Sequence, residues 1–350
     1  MNPALRVLAP GLLSTIQDDG RPGYQGLGIP VGGALDPVSF RAANALVGNS
    51  SNTAALEVAY VGPTLAVDAD EVRLAFVGAL APIDILSDEF ATSGERLEGM
   101  RSVCLRRGQL LRIGSLHEGA VLYIAVEGGF DIEPVLGSVS TYLRGGFGGW
   151  QGRALIAGDR LPLLYNAASE RDDCELVGLD LNPPPRFRVV LGPQHDHFSD
   201  NAIAAFFAGE YTISAGSDRM GMRLAGPCLE HVKHYSITSD GIAPGSIQVT
   251  GTGQPIVLLA DRHTIGGYAK IATVITADLP ALARLPIGAK VAFEPVAMEV
   301  AVAARRELLA QLAGFDEQVM PIIRADVDIA PRLLDCNLIS GFVDGRGSVL

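Results

Sequence analysis

The chain predicts a mainly β protein built from two β-rich halves of similar topology with few short helices. Three observations carry this. Apolar runs are short and rich in β-branched residues, as in residues 121–126, 256–260 and 271–275, which suits buried strands better than helices. Glycine (41) and proline (21) are abundant among 350 residues, which multiplies tight turns. The second half also echoes the first in order: RVLAP at 6–10 with RVVLGP at 188–193, Gly62-Pro63 with Gly226-Pro227, Ala81-Pro82 with Ala243-Pro244, VLYIAVEGG at 121–129 with IVLLADRHTIGG at 256–267, and IAGDRLPL at 156–163 with IGAKVAFEP at 287–295. Such self-similarity reads as an internal duplication.

Taken in order, residues 5–9 form a first strand. Residues 14–36 follow with six glycines, two prolines and no periodicity, which predicts a long loop of functional type. Asp36-Pro37 opens a helix, since Asp caps well and Pro suits the first turn; Gly48-Asn49 closes it. Strands follow at 54–60, 65–67, 72–76, 83–86, 102–105, 110–113, 121–126 and 160–164. The glycine-rich residues 145–152 hold the only tryptophan, Trp150, as a ligand platform or a packing residue. Asn182 and three prolines, 183–185, form a stiff linker. The expected units are therefore 1–182, 186–298, and a helix and tail at 299–350. Within the last, 299–312 has helical spacing, Gly314 stops it, and an apolar patch lies at 338–343. A short helix is expected at 280–285.

Net charge is −12, which excludes a general nucleic-acid binder, because phosphate binding needs clustered cations. No apolar run approaches the roughly 20 residues of a membrane span, and the N-terminus lacks a secretory pattern; a cytoplasmic protein is expected. The four cysteines are scattered without a CxxC pair, so buried free thiols are expected rather than zinc or disulfides. His195 and His197 would share a face if they lay on a strand, but no third ligand has motif spacing, and no metal site is assigned.

The densest chemistry lies between the runs 256–260 and 271–275: Asp261, Arg262, His263, Thr264, Gly266, Gly267, Tyr268 and Lys270. Polar groups where core strands meet must pair with one another or bind something. The competing reading is a surface hairpin whose Asp261 and Arg262 pair. Ser217, Asp218 and Arg219 form a turn before Met220-Gly221, and TGTGQ at 250–254 forms another; a backbone nest beside an arginine holds carboxylate or phosphate, and ordinary turn chemistry accounts for each equally. No GxSxG or Walker-type loop occurs.

Three stretches, TIQDDGRPGYQGLGIPVGGALDPVSFRAANALVGN at 15–49, SDRMGMRLAGP at 217–227, and 239–276 including GIAPGSIQVTGTGQPIVLLADRHTIGGYAKIATVIT, resemble the allophanate hydrolase subunit 2, or biotin-dependent carboxyltransferase, family. The resemblance covers about 5–295. It implies two cyclophilin-like β-barrel subdomains and a partner chain, the family's subunit 1 (the B-type component of oxoprolinase). It further implies an ATP-dependent 5-oxoprolinase complex with a third, A-type component, opening 5-oxo-L-proline to L-glutamate, with ATP held by this chain or together with its partner. Two alternatives remain open: a urea-type carboxyltransferase component, with biotin arriving on another protein, and a non-catalytic antagonist of a kinase inhibitor.

Carried over by motif, the implied catalytic residues are Asp218, Arg219, Asp261, Arg262 and Lys270. The implied substrate-binding residues are Gln17, Asp18, Arg21, Asp36, Ser217, Gln248, Thr264, Gly266, Gly267 and Tyr268. His263 stands where the family usually has Gln. The expected arrangement places a cyclic amide or urea-like substrate over a Gly266-Gly267 turn. Arg219 or Arg262 would bind its carboxylate or a phosphoryl oxygen, Asp261 or Asp218 would handle a proton or orient an arginine, and Lys270 and Tyr268 would stabilise negative charge.

Overall fold

A computed structural model describes residues 2–97 and 99–322. Strands dominate, and each large sheet draws its strands from one half of the chain. The first half contributes a five-stranded antiparallel sheet ordered Leu13–Gln17, Ala55–Ala59, His117–Val126, Glu71–Leu80, Ser102–Arg106. Its strands are buried on both faces. Leu56, Val58, Leu74, Phe76, Leu122 and Ile124 point into a core shared with Leu5, Val7 and Leu65 of a six-stranded sheet. The alternate residues Ala55, Ala75, Val77, Val121, Tyr123 and Ala125 pack with the Pro37–Leu46 helix. Double-sided burial is why residues 121–126 read as an unbroken apolar run rather than as alternation.

The second half forms an eight-stranded sheet whose edge strands are Lys290–Val291 and Phe293–Pro295. Ala292 alone separates these edges in the chain, so the sheet must curl until its two ends meet, as a nearly closed barrel. Phe187, Phe206, Tyr211, Val257, Ile271 and Phe293 fill it, with Phe206 and Phe293 stacked at 5.0 Å between ring centroids. A two-stranded sheet, Ser236–Gly241 against Ile265–Tyr268, projects beside it.

The echo between halves is partial. The strand paired with the Gly-Pro-terminated one sits centrally in both sheets, His117–Val126 beside Ala55–Ala59 and Pro255–Leu258 beside Gly221–Ala225. The last strand, however, pairs antiparallel with the first in one half (Arg160–Pro162 on Ala4–Ala9) and parallel in the other (Phe293–Pro295 on Phe187–Leu191).

The structure corrects two local expectations. Residues 14–17 belong to a strand, Leu13–Gln17, rather than to the following loop. Its polar side chains hid the pattern because they find partners inside the protein: Ser14 donates to Pro10 O at 2.7 Å, and Gln17 Nε2 to Thr15 Oγ1 at 3.0 Å and Thr141 O at 3.2 Å, while Gln17 Oε1 has no partner among the described residues. An unexpected helix, Asp200–Ala208, is capped by Ser199, whose Oγ accepts from Ala202 N at 3.1 Å. The expected C-terminal helix spans Met298–Ala313. Its Leu312, with Phe315, joins the apolar layer around the first half's helix, and Val319–Pro321 pairs with Cys174–Leu176. The apolar patch at 338–343 lies outside the described residues. Among the described residues no helix is long and apolar enough to cross a membrane.

Candidate functional site

Where the halves meet, buried charge replaces apolar packing. The turn at Asp218 is closed by its own carboxylate, whose Oδ1 accepts from Met220 N at 2.8 Å and Gly221 N at 3.2 Å, an Asx-type turn. The Arg219 guanidinium next to it enters the interface. Its Nε donates to Asp261 Oδ2 at 2.9 Å and its Nη2 to Asp261 Oδ1 at 3.1 Å, a bidentate pair within the second half. Its Nη1 donates to Glu57 and its Nη2 to Gly33 O at 2.6 Å, both in the first half. Side-chain exposure is 6% for Arg219, 4% for Glu57 and 6% for Asp261. Burial works against the guanidinium charge, but Glu57 and Asp261 outweigh it and hold the pKa above its ordinary value.

Glu57 extends the network. Its Oε2 accepts from Leu35 N at 2.8 Å and from the Tyr123 hydroxyl at 2.5 Å; that hydroxyl accepts from Asp36 N at 2.9 Å. Burial, then the nearby carboxylates of Glu57 and Asp36, drive the Tyr123 pKa well up. Asp36 caps the Pro37–Leu46 helix as expected, Oδ1 accepting from Val38 N at 2.9 Å and Ser39 N at 3.2 Å. Its Oδ2 binds Arg284 Nη1 of the second half at 2.9 Å. Arg284 also donates to Leu181 O at 2.9 Å.

Two cavities flank this network. One, of about 210 Å³, is walled by Tyr60, Leu143 and Arg144 from the first half and by Ser217, Arg219 and Asp261 from the second. The other, of about 220 Å³, lies between Gly32 and Leu35 on one side and Leu258, Arg262, Leu279 and the helical Leu308 on the other. Arg262 is buried, donates to Ile242 O at 3.1 Å and Leu259 O at 3.3 Å, and pairs with no carboxylate among the described residues; burial lowers its pKa.

The sequence-predicted residues fall into several neighbourhoods. Arg219 and Asp261 are in direct contact, with Ser217 and Asp218 on the same cavity wall. Gln17, Asp18 and Arg21 cluster on residues 135–148. Asp18 Oδ1 accepts from Ser138 Oγ at 2.6 Å and Ser140 Oγ at 2.5 Å, and Oδ2 from Val139 N at 2.8 Å. Arg21 lies 5.0 Å from the Phe147 ring centroid and donates to Ser140 O. Burial lowers its pKa, with Asp18 and then Asp261 opposing.

Gln248, Thr264, Gly266, Gly267, Tyr268 and Lys270 gather around the two-stranded sheet. Lys270 Nζ donates to Asp240 Oδ2 at 2.7 Å and Gly241 O at 3.2 Å. The Lys270 hydrogen bond, then the Gly241 N–H, hold the Asp240 carboxyl below its usual range. Gln248 Nε2 donates to Tyr268 O at 3.4 Å, Thr264 O accepts from Ile242 N at 3.0 Å, and Tyr268 packs on Tyr235 at 6.2 Å.

Gly266 and Gly267 are not a turn. They lie in the strand Ile265–Tyr268, and at Gly266 an added Cβ would meet Gln248 Nε2 at 2.6 Å and Ile242 Cδ1 at 2.6 Å. Glycine serves close packing there, in a strand and not in the expected turn. His195–His197 is a 3-10 turn rather than a strand; each Nδ1 pairs with a carbonyl, Gly192 O at 2.8 Å and His234 O at 3.0 Å. Among the described residues no cluster of three His, Cys, Asp or Glu is placed to hold a metal. His263 meets Arg144 of the first half at 3.2 Å, its Nε2 accepting.

Sequence reasoning missed Glu57, Tyr123 and Arg284. Glu57 carried a usable signal: it is the one charge inside the otherwise apolar run 54–60, and a lone charge in a doubly buried strand must find a partner.

Fold and site together define a mainly β protein of two barrel-like halves locked by buried ion pairs beside paired interfacial cavities. The chain belongs to the carboxyltransferase domain family: the family's subdomain A and B model matches residues 27–295. It is 38% identical to the C-type component of 5-oxoprolinase from Escherichia coli (strain K12), covering 87% of this chain and 94% of that protein. The corresponding figures for the C-type 5-oxoprolinase component of Haemophilus influenzae are 36%, 84% and 92%. Urea amidolyase of Saccharomyces cerevisiae is 32% identical over 85% of this chain, which spans only 17% of that protein. Among solved structures, Kluyveromyces lactis urea carboxylase matches with TM-score 0.79 at 27% identity, over 93% of this chain and 31% of that one. The urea amidolyase of the same yeast gives 0.78 at 27%, over 93% of this chain and 21% of its own.

Proposed function

We propose that this chain is the C-type component of an ATP-dependent 5-oxoprolinase that opens 5-oxo-L-proline to L-glutamate with components of types A and B. The observation that carries the reading is the 38% identity spanning 94% of the Escherichia coli C-type protein. The urea enzymes match as a small part of much longer chains. In this reading the cleft between the halves receives the substrate, and ATP binds this chain or a surface it completes with a partner.

In this reading the roles shift. Every nitrogen of the Arg219 guanidinium is already engaged by Asp261, Glu57 and Gly33, so Arg219 holds the halves in register and Asp261 orients it. Arg262 has no such carboxylate among the described residues and is a cation available to an anionic group. Lys270, bonded to Asp240, supports the sheet beside the cleft.

The test is co-expression with A- and B-type components and an assay of glutamate from 5-oxoproline with and without ATP. ATP-dependent glutamate that vanishes when this chain is omitted is the expected result. A well-formed complex that yields none overturns the reading and favours carboxyl transfer, checked by supplying a biotinylated carrier, or the antagonist role.

A further inference from the structure

Arg262 is only 7% exposed. A buried guanidinium is costly unless its charge is met, yet it donates only to two backbone carbonyls, Ile242 O and Leu259 O, among the described residues. Its Nη2 has no hydrogen-bond partner among them. Burial alone lowers its pKa, with no neighbouring acid opposing, in contrast to Arg219.

The side chain lines the cavity of about 220 Å³ whose other walls are nearly all apolar, among them Leu35, Leu258, Leu279, Ala283 and Leu308, with Thr276 the one hydroxyl side chain among them. The walls come from both halves and from the C-terminal helix. A cavity somewhat smaller than a drug-sized pocket with a single unpaired cation matches a small ligand of one negative charge. A phosphate dianion would keep a charge that one guanidinium cannot meet, whereas a carboxylate accepts two parallel N–H bonds.

We propose that the Arg262 cavity is a binding site for a compact monocarboxylate with an apolar body. This deepens the functional reading above and rests on it only in taking 5-oxo-L-proline as one of the probes.

Calorimetric titration of the full chain tests it with cyclopentanecarboxylate, 5-oxo-L-proline and the neutral cyclopentanecarboxamide. The acid is expected to bind, the neutral amide at least tenfold more weakly. R262Q should weaken acid binding at least tenfold while leaving the amide unchanged. A260L, which fills the cavity wall and keeps Arg262, should weaken the acid equally, and it decides the matter if R262Q does not fold. Equal binding of acid and amide, unchanged acid binding in either folded variant, or no acid binding to the parent chain overturns the proposal. Binding of cyclopentanecarboxylate without 5-oxoproline binding leaves the site standing and counts against the substrate reading alone. A complex that forms no glutamate likewise bears on the function and not on this site.

Discussion

Replacing Arg219 with alanine removes one side chain and orphans three groups. Asp261 loses its bidentate partner at 2.9 and 3.1 Å, Glu57 loses its cation, and Gly33 O loses a donor at 2.6 Å. Both carboxylates are almost wholly buried. Breaking a buried pair by deleting one partner costs about 3–5 kcal/mol, and here two acids are left facing each other. Against a typical domain stability of about 5–15 kcal/mol, R219A should lose at least that 3–5 kcal/mol.

The loss should also be regional, because Glu57 and Gly33 belong to the first half and Arg219 and Asp261 to the second. Urea unfolding followed by far-UV circular dichroism reads the whole chain. Fluorescence of Trp150, the only tryptophan, reads the first half, against whose core it packs. The two transitions should separate in R219A. The triple variant R219M/E57Q/D261N, which removes charge from all three partners, should recover most of the loss. A cost under about 1 kcal/mol with coincident transitions would refute the idea that this network joins the halves, since an exposed pair contributes no more than that.

Three further outcomes follow from the same geometry. D36N should keep the helix cap and lose the ion pair with Arg284, whereas D36A loses both; their difference in unfolding free energy should be about 1 kcal/mol, and equal values would remove the cap from the account. Burial pushes the Tyr211 hydroxyl up to about 12, and its oxygen has no partner among the described residues. The folded state thus keeps a proton the unfolded state releases from about pH 10, so stability is intact below pH 10 and falls as pH rises towards 12. Y211F should lessen that alkaline loss and add about 1–2 kcal/mol at neutral pH; a less stable variant would show the hydroxyl to be bonded. Gly28 and Gly33 share a left-handed backbone (φ 81° and 83°), but a Cβ at Gly28 meets nothing within 4 Å, while at Gly33 it meets Asp19 C at 2.8 Å and Asp18 O at 2.9 Å. G28A should cost about 1–2 kcal/mol and G33A clearly more by thermal melting, because the Gly33 carbonyl must also leave Arg219.

The β class was legible because doubly buried stretches such as residues 120–126 leave an unmistakable apolar run. The cap at Asp36 was legible because its partners lie two and three residues away. What escaped depends on partners distant in the chain. Leu13–Gln17 is a core strand with polar side chains, intelligible only once Thr141 is known to lie against Gln17. Arg219 and Asp261 were both singled out, from separate motifs, but that each satisfies the other is a tertiary fact. Glu57 announced a need for a partner without naming it.

The turn after Pro255–Leu258 shows how far a motif can mislead about a site. Asp261 and Arg262 are adjacent in sequence and invite reading as one pair, yet they face different cavities and do not pair. Asp261 is tied to Arg219, in a network whose charges are met within the protein. Arg262 looks into the second cavity, and no carboxylate among the described residues meets its charge. Leu35, Leu259 and Ala283 line both spaces, so the turn and these three side chains form a thin wall between them. Packed interiors do not deform freely, so an anion bound at Arg262 as proposed above would press on the same wall that holds Asp261 against Arg219. The grip between the halves and the occupancy of the second cavity therefore bear on one structural element.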